Sequence, residues 1–150
     1  MVRSIASSGI EFERGPQAWE AGTPNVPGAI AFEEALSYRA SLGADAVRVY
    51  EKALLDYVDR GLRSISRVRV LGQPETRMGC VSFVAEGLRA FEVSKALAAR
   101  GICVRAGHHC AIPLHRQLGR EASVRISPAL YNTFDELDAC LSAIEDCMLP

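Results

Sequence analysis

Between Ala44 and Ile65, apolar residues recur at three- and four-residue steps. Val47, Val49, Tyr50, Leu54, Tyr57, Val58, Leu62 and Ile65 carry this period, which predicts a helix. A shorter helical pattern, with Ile30, Ala31, Ala35, Leu36 and Leu42, runs before it from about Gly28 to Ser41. The period then changes. Val68, Val70 and Leu71 predict a strand, Gly72 to Glu75 a turn, and Cys80 to Val84 a second strand, a hairpin or antiparallel neighbour of the first. Ala90 to Arg100 is helical again, with Phe91, Val93, Leu97 and Ala98 inward and Gly101 as its stop. Ile102 to Val104 is a short strand, Leu114 to Leu118 a short helix, and Ser123 to Ser127 a further strand. Thr133 and Glu136 form a capping box for a last helix, which presents Leu137, Cys140, Leu141, Ile144 and Met148 on one face.

The order predicts an α+β fold, a two-layer sandwich of a small mixed or antiparallel sheet with helices on one face. Residues 1–25 show no clear period. Glu20 to Asn25 is a turn signal, because Pro24 fixes its own φ and restricts Thr23.

Composition narrows the function classes. The chain has 150 residues, 49% hydrophobic and 23% charged, which suits one domain with a real core and argues against disorder. A net charge of −1 gives no field that draws the whole protein to nucleic acid or an anionic membrane. No apolar run is long enough to span a bilayer, and the first residues lack the apolar core of a signal peptide. Five cysteines without a CxxC spacing read as free thiols, which fits a cytoplasmic location. Cys80, Cys103, Cys140 and Cys147 are expected to be buried.

The chemistry concentrates in one place. All three histidines, His108, His109 and His115, lie within eight positions around Cys110, and Arg105 stands nearby. Cations beside a cysteine favour its thiolate, the reactive form, so Cys110 reads as a nucleophile; the bland alternative is a buried loop thiol. The same residues carry zinc-binding atoms. Adjacent side chains seldom converge on one ion, so no metal is expected. Arg125 interrupts an apolar strand, which puts it either on an open polar face or in a site. Gly22 and Thr23 lie in a turn that offers backbone N–H groups and a hydroxyl to a phosphate.

Three segments together resemble a known family. Glu20-Ala21-Gly22-Thr23-Pro24-Asn25 resembles the E-A-G-T-P-N segment of the fold-type I, class V aminotransferase-like enzymes. Arg105-Ala106-Gly107-His108-His109-Cys110-Ala111 resembles the R-x-G-H-H-C-A loop of their SufS-type cysteine desulfurases and selenocysteine lyases. Arg125-Ile126-Ser127-Pro128-Ala129-Leu130-Tyr131-Asn132-Thr133 resembles their R-x-S-x-x-x-Y-N-T segment.

The resemblance implies that Cys110 attacks the substrate sulfur and carries a persulfide. It implies that Arg125 pairs with the substrate carboxylate and that Arg105 lies near the substrate. Gly22 and Thr23 would reach the phosphate of pyridoxal phosphate in the neighbouring subunit of a homodimer, and a sulfur-acceptor protein of iron-sulfur assembly is a possible partner. His108 and His109 would shape the loop.

The chain also departs from the family. The S-x-H-K segment that holds pyridoxal phosphate has no counterpart. Lys52 and Lys95, the only lysines, lie in amphipathic helical settings, and Ala18 stands where the family often has a basic residue. The resemblance therefore implies the C-terminal portion of such an enzyme. Residues 1–27 are the segment joined to a large cofactor domain, and residues 28–150 are the C-terminal small domain. The cofactor would not be bound covalently to this chain, which would be inactive alone. The alternatives are a stand-alone sulfur carrier or interaction module that uses Cys110, and a structural remnant.

Overall fold

The computed structural model describes residues 1–20 and 22–149, with the side chain of Gln17 left aside. The chain forms two compact units, Met1–Gly43 and Ala44–Pro150. The helix expected to open the small domain thus groups with the first unit.

In the first unit, β1 (Val2–Ala6) and β2 (Gly9–Phe12) pair as an antiparallel hairpin. The sequence reading did not foresee it, because apolar and polar residues do not alternate cleanly there. A short 3₁₀ turn, Gly15–Ala18, follows. The first helix, α1, spans Val26–Ser41. Asn25 caps it by accepting a hydrogen bond from the Gly28 N–H at 3.0 Å. Any Cβ on residue 28 would collide with the Asn25 side chain, so this cap requires glycine there. No residue of α1 is buried, and Ile5, Ile10, Phe12, Ile30, Phe32, Leu36 and Tyr38 are all exposed.

The second unit holds the core. Three long helices, α2 (Ala44–Ser64), α3 (Ala90–Ala98) and α5 (Phe134–Met148), pack with a four-stranded sheet made of β3 (Val68–Val70), β4 (Val81–Ala85), β5 (Arg105–Gly107) and β6 (Ser123–Ile126). The strand order is β3-β4-β6-β5, and every pairing is antiparallel. A short helix, α4, covers Ile112–Gln117.

Side chains alternate across a strand, so the register assigns the faces. Val81, Phe83 and Ala85 of β4 share one face with Val124 and Ile126 of β6, and all five join the core cluster. Phe83, Leu54, Leu62, Leu97 and Ile144 are fully buried there. Ser82, Ser123 and Arg125 take the other face.

The capping box of α5 forms as expected. Thr133 Oγ1 accepts from the Glu136 N–H at 3.2 Å, and Glu136 Oε2 accepts from the Thr133 N–H at 2.9 Å. Those bonds, the Thr133 backbone first and the Asn132 side chain next, hold the Glu136 carboxyl below its ordinary pKa. At the end of α3, Gly101 adopts a φ of 76°, and the Ile102 N–H reaches back to the Leu97 carbonyl at 3.0 Å.

Several expectations need correction. The last edge strand is Arg105–Gly107, not Ile102–Val104, because β6 offers its ladder partners at Ser123, Val124 and Arg125. Ile102 and Val104 instead pack against the core as irregular chain. Phe91, expected inward, is 72% exposed. Ala98 and Val49 also face outward. Cys140 is buried, but Cys80 and Cys147 are only partly so, and Cys103 is exposed.

Candidate active site

The candidate site is built on the sheet face turned away from the core. Arg125 of β6 lies directly opposite Arg105 of β5 and, on its other side, Ser82 of β4. Two guanidinium groups thus share one cross-strand position, where like charges repel. Neither forms an ion pair among the described residues. Arg105 is exposed and Arg125 half-buried, and the Arg125 Nε–H is buried without a hydrogen-bond partner. Adjacent cations with spare donors suit an anion such as a carboxylate or a phosphate.

Cys110 sits on the turn that follows β5. Gly107, with φ of 138°, releases the chain from the strand. The Ala111 N–H then bonds back to the His108 carbonyl at 2.8 Å, closing a four-residue turn. Its central residues, His109 and Cys110, have φ of 50° and 58°. Two successive left-handed residues are ordinary for Asn-Gly and costly for other pairs. The His108 Nδ1 supports the corner by accepting from the Cys110 N–H at 3.2 Å. Cys110 is exposed at this corner.

Two histidines fasten the turn to β6. His109 Nε2 lies 3.2 Å from the Ser123 carbonyl, which can only accept, so this nitrogen carries the proton. Its Nδ1 is buried without a hydrogen-bond partner. Burial first, then the electrostatic influence of Arg125, His115 and Arg105, lowers the His109 pKa from its ordinary 6.5, against the opposing pull of the Ser123 carbonyl. His115 is 5% exposed, and its Nε2 lies 3.0 Å from the Ser123 hydroxyl, itself fully buried. The His115 Nδ1 donates to the Ala111 carbonyl at 3.1 Å.

The structure therefore brings Arg105, Arg125 and the Cys110 turn into one neighbourhood. Gly22 and Thr23 lie in the other unit, both exposed, with Gly22 at a φ of 83°; Ala21 between Glu20 and Gly22 lies outside the described residues. Sequence reasoning missed Ser123. The available signal was its place two residues before Arg125, which puts both on one strand face. No group of three or more His, Cys, Asp or Glu side chains among the described residues is arranged to hold a metal ion. No helix among them is long and apolar enough to cross a membrane.

The sequence pattern of the Aminotransferase class-V family matches residues 1–140. The chain belongs to that family. Among its curated relatives, a probable cysteine desulfurase of Mycolicibacterium paratuberculosis is 44% identical over 96% of this chain and 21% of its own length. A probable cysteine desulfurase of Pseudomonas putida is 41% identical over 97% of this chain and 36% of its own.

Solved structures agree. The apo cysteine desulfurase of Thermococcus onnurineus superposes with a TM-score of 0.85 at 31% identity, covering 98% of this chain and 37% of that one. The cysteine desulfurase CsdA of Escherichia coli, in an S-sulfonic acid form, gives 0.84 at 29% identity, covering 99% and 37%. The chain thus spans between about a fifth and a little over a third of the length of these relatives.

Enzymes of this kind are pyridoxal-phosphate-dependent, which raises the question of a lysine. A lysine that forms a Schiff base needs a desolvated amine. Lys52 is ion-paired with Asp56 at 2.5 Å on an exposed face of α2, and Lys95 is exposed on α3. Neither setting supplies a desolvated amine.

Proposed function

We propose that this chain is the C-terminal portion of a cysteine desulfurase or selenocysteine lyase, and that Cys110 is its sulfur-accepting nucleophile. In this reading residues 1–27 join the large domain of the complete enzyme and residues 28–150 form the small domain. The observation that carries it is the Cys110 corner. An exposed thiol stands at the tip of a strained turn that directly follows β5, the strand whose Arg105 faces Arg125 with no carboxylate partner among the described residues.

The geometry supports a division of labour. Arg125 and Arg105 hold the substrate carboxylate, with the Arg125 Nε–H as a waiting donor. That anchoring presents the substrate sulfur to Cys110. The Cys110 sulfur forms a new S–S bond, the carbon–sulfur bond breaks, and its electron pair stays with the carbon skeleton. Pyridoxal phosphate, which the rest of the enzyme would hold, supplies the electron sink for such a cleavage. Gly22 and Thr23 are the residues of this chain proposed to reach its phosphate, in a neighbouring subunit of a homodimer. A sulfur-acceptor protein would then take the sulfur from the exposed Cys110.

The test uses the complete enzyme beside this chain. This chain, given pyridoxal phosphate and L-cysteine, should release no sulfide and show no aldimine absorbance. The complete enzyme should do both, and Cys110→Ser should abolish sulfide release while keeping the cofactor colour. Undiminished sulfide release by Cys110→Ser would refute the assignment.

A further inference from the structure

Ser123 is bonded both to His109 in the turn and to His115 beyond it. Its carbonyl takes the His109 Nε2–H, and its hydroxyl meets the His115 Nε2. His115 in turn reaches the Ala111 carbonyl through Nδ1, and the same carbonyl accepts the His115 backbone N–H at 3.1 Å. Ala111 directly follows Cys110, and Ser123 stands two residues before Arg125 on the same strand face. One unbroken chain of hydrogen bonds therefore links the residue after the thiol to the strand of the substrate-binding arginine.

Both members are buried, Ser123 fully and His115 to 5% exposure. A buried hydroxyl–imidazole pair costs free energy unless every polar atom is partnered, and here each one is. An apolar pair would fill the space without that requirement. Helix α4 is only six residues long and has no side-chain cap; the His115 ring bonds back to the carbonyl of Ala111, the residue before its first turn.

We propose that Ser123 and His115 are positioning residues that set the Cys110 thiol against the Arg105–Arg125 pair. The proposal rests on the reading of those three residues as nucleophile and anion site. His115 acts through its neighbours and touches no substrate. Because the Ala111 carbonyl can only accept, His115 carries a proton on Nδ1, which leaves Nε2 to meet the Ser123 hydroxyl.

A thiol held beside two cations reacts faster with an anionic alkylating agent than with a neutral one of the same shape. The experiment compares iodoacetate with iodoacetamide on this chain and follows the Cys110 peptide by mass spectrometry. In the folded protein the rate ratio should exceed that of the same peptide in denaturant, and should fall with added salt. Ser123→Ala and His115→Asn should lower the ratio severalfold while the helical circular dichroism persists. Ser123→Thr, which keeps the hydroxyl, should hold it near the wild-type value.

Folded Ser123→Ala and His115→Asn proteins with the wild-type ratio would overturn the positioning role and leave the function reading standing. A wild-type ratio equal to that in denaturant would instead overturn the anion site itself. Should the variants fail to fold, nitrogen NMR of the wild-type protein decides: a His115 bearing its proton on Nδ1 supports the proposal, and a bare Nδ1 overturns it.

Discussion

Arg105 and Arg125 face each other across the β5–β6 ladder, and no carboxylate among the described residues pairs with either. Like charges placed opposite in a sheet destabilise it, by roughly 0.2–1 kcal/mol. Removing one should therefore relieve the fold. Arg105→Ala is expected to stabilise this chain by up to about 1 kcal/mol, read as a higher denaturant midpoint at unchanged slope. In the complete enzyme the same change should weaken substrate binding. Sulfate should stabilise the wild-type chain more than it stabilises Arg105→Ala.

The Cys110 turn stores strain of the same functional kind. With φ of 58°, residue 110 would be more comfortable as glycine. Cys110→Gly should be more stable than Cys110→Ala by on the order of 1 kcal/mol. Paired thermal melts of the two variants check this. Equal stability would mean that the corner is not strained.

His109 makes the fold sensitive to acid. Its pKa is lowered in the folded state, by burial first and then by the nearby cations. Below the unfolded value of 6.5 the unfolded chain therefore takes up a proton that the folded chain resists. The stability contribution is full above that pH and is lost as pH falls toward the folded value. Thermal melts at about pH 7.5 and about pH 5.5 should show the loss. His109→Gln should show a smaller one.

The five thiols should separate by reactivity. Burial pushes the Cys140 thiol up to about 11, which keeps it protonated at neutral pH. Alkylation of the native chain should label the exposed Cys110 and Cys103 and spare Cys140 until the protein unfolds. Peptide-resolved mass spectrometry reads the order directly.

Long-period features of the fold were legible in the sequence. The stripe of Leu54, Val58 and Leu62 and the Thr133–Glu136 box mark α2 and α5, because each is written in local spacing. The β1–β2 hairpin was not legible, since its apolar residues cover no core and so obey no strict alternation. β5 was misplaced by three residues because a ladder is chosen by its partner strand. The apolar run Ile102-Cys103-Val104 says nothing about where β6 begins.

In the site, the cluster around Cys110 was visible as composition, and Arg125 as a charge inside a strand. The facing of Arg105 and Arg125 and the role of Ser123 depend on register and burial, which no local spacing encodes.

The central claim is that Cys110 accepts sulfur. The most direct measurement exposes this chain to a persulfide donor and locates the added mass by peptide mapping. The account predicts one added sulfur on Cys110, with the also exposed Cys103 unmodified or far behind, and no such addition in Cys110→Ser. Sulfur that settles on Cys103, or spares Cys110 altogether, would contradict it.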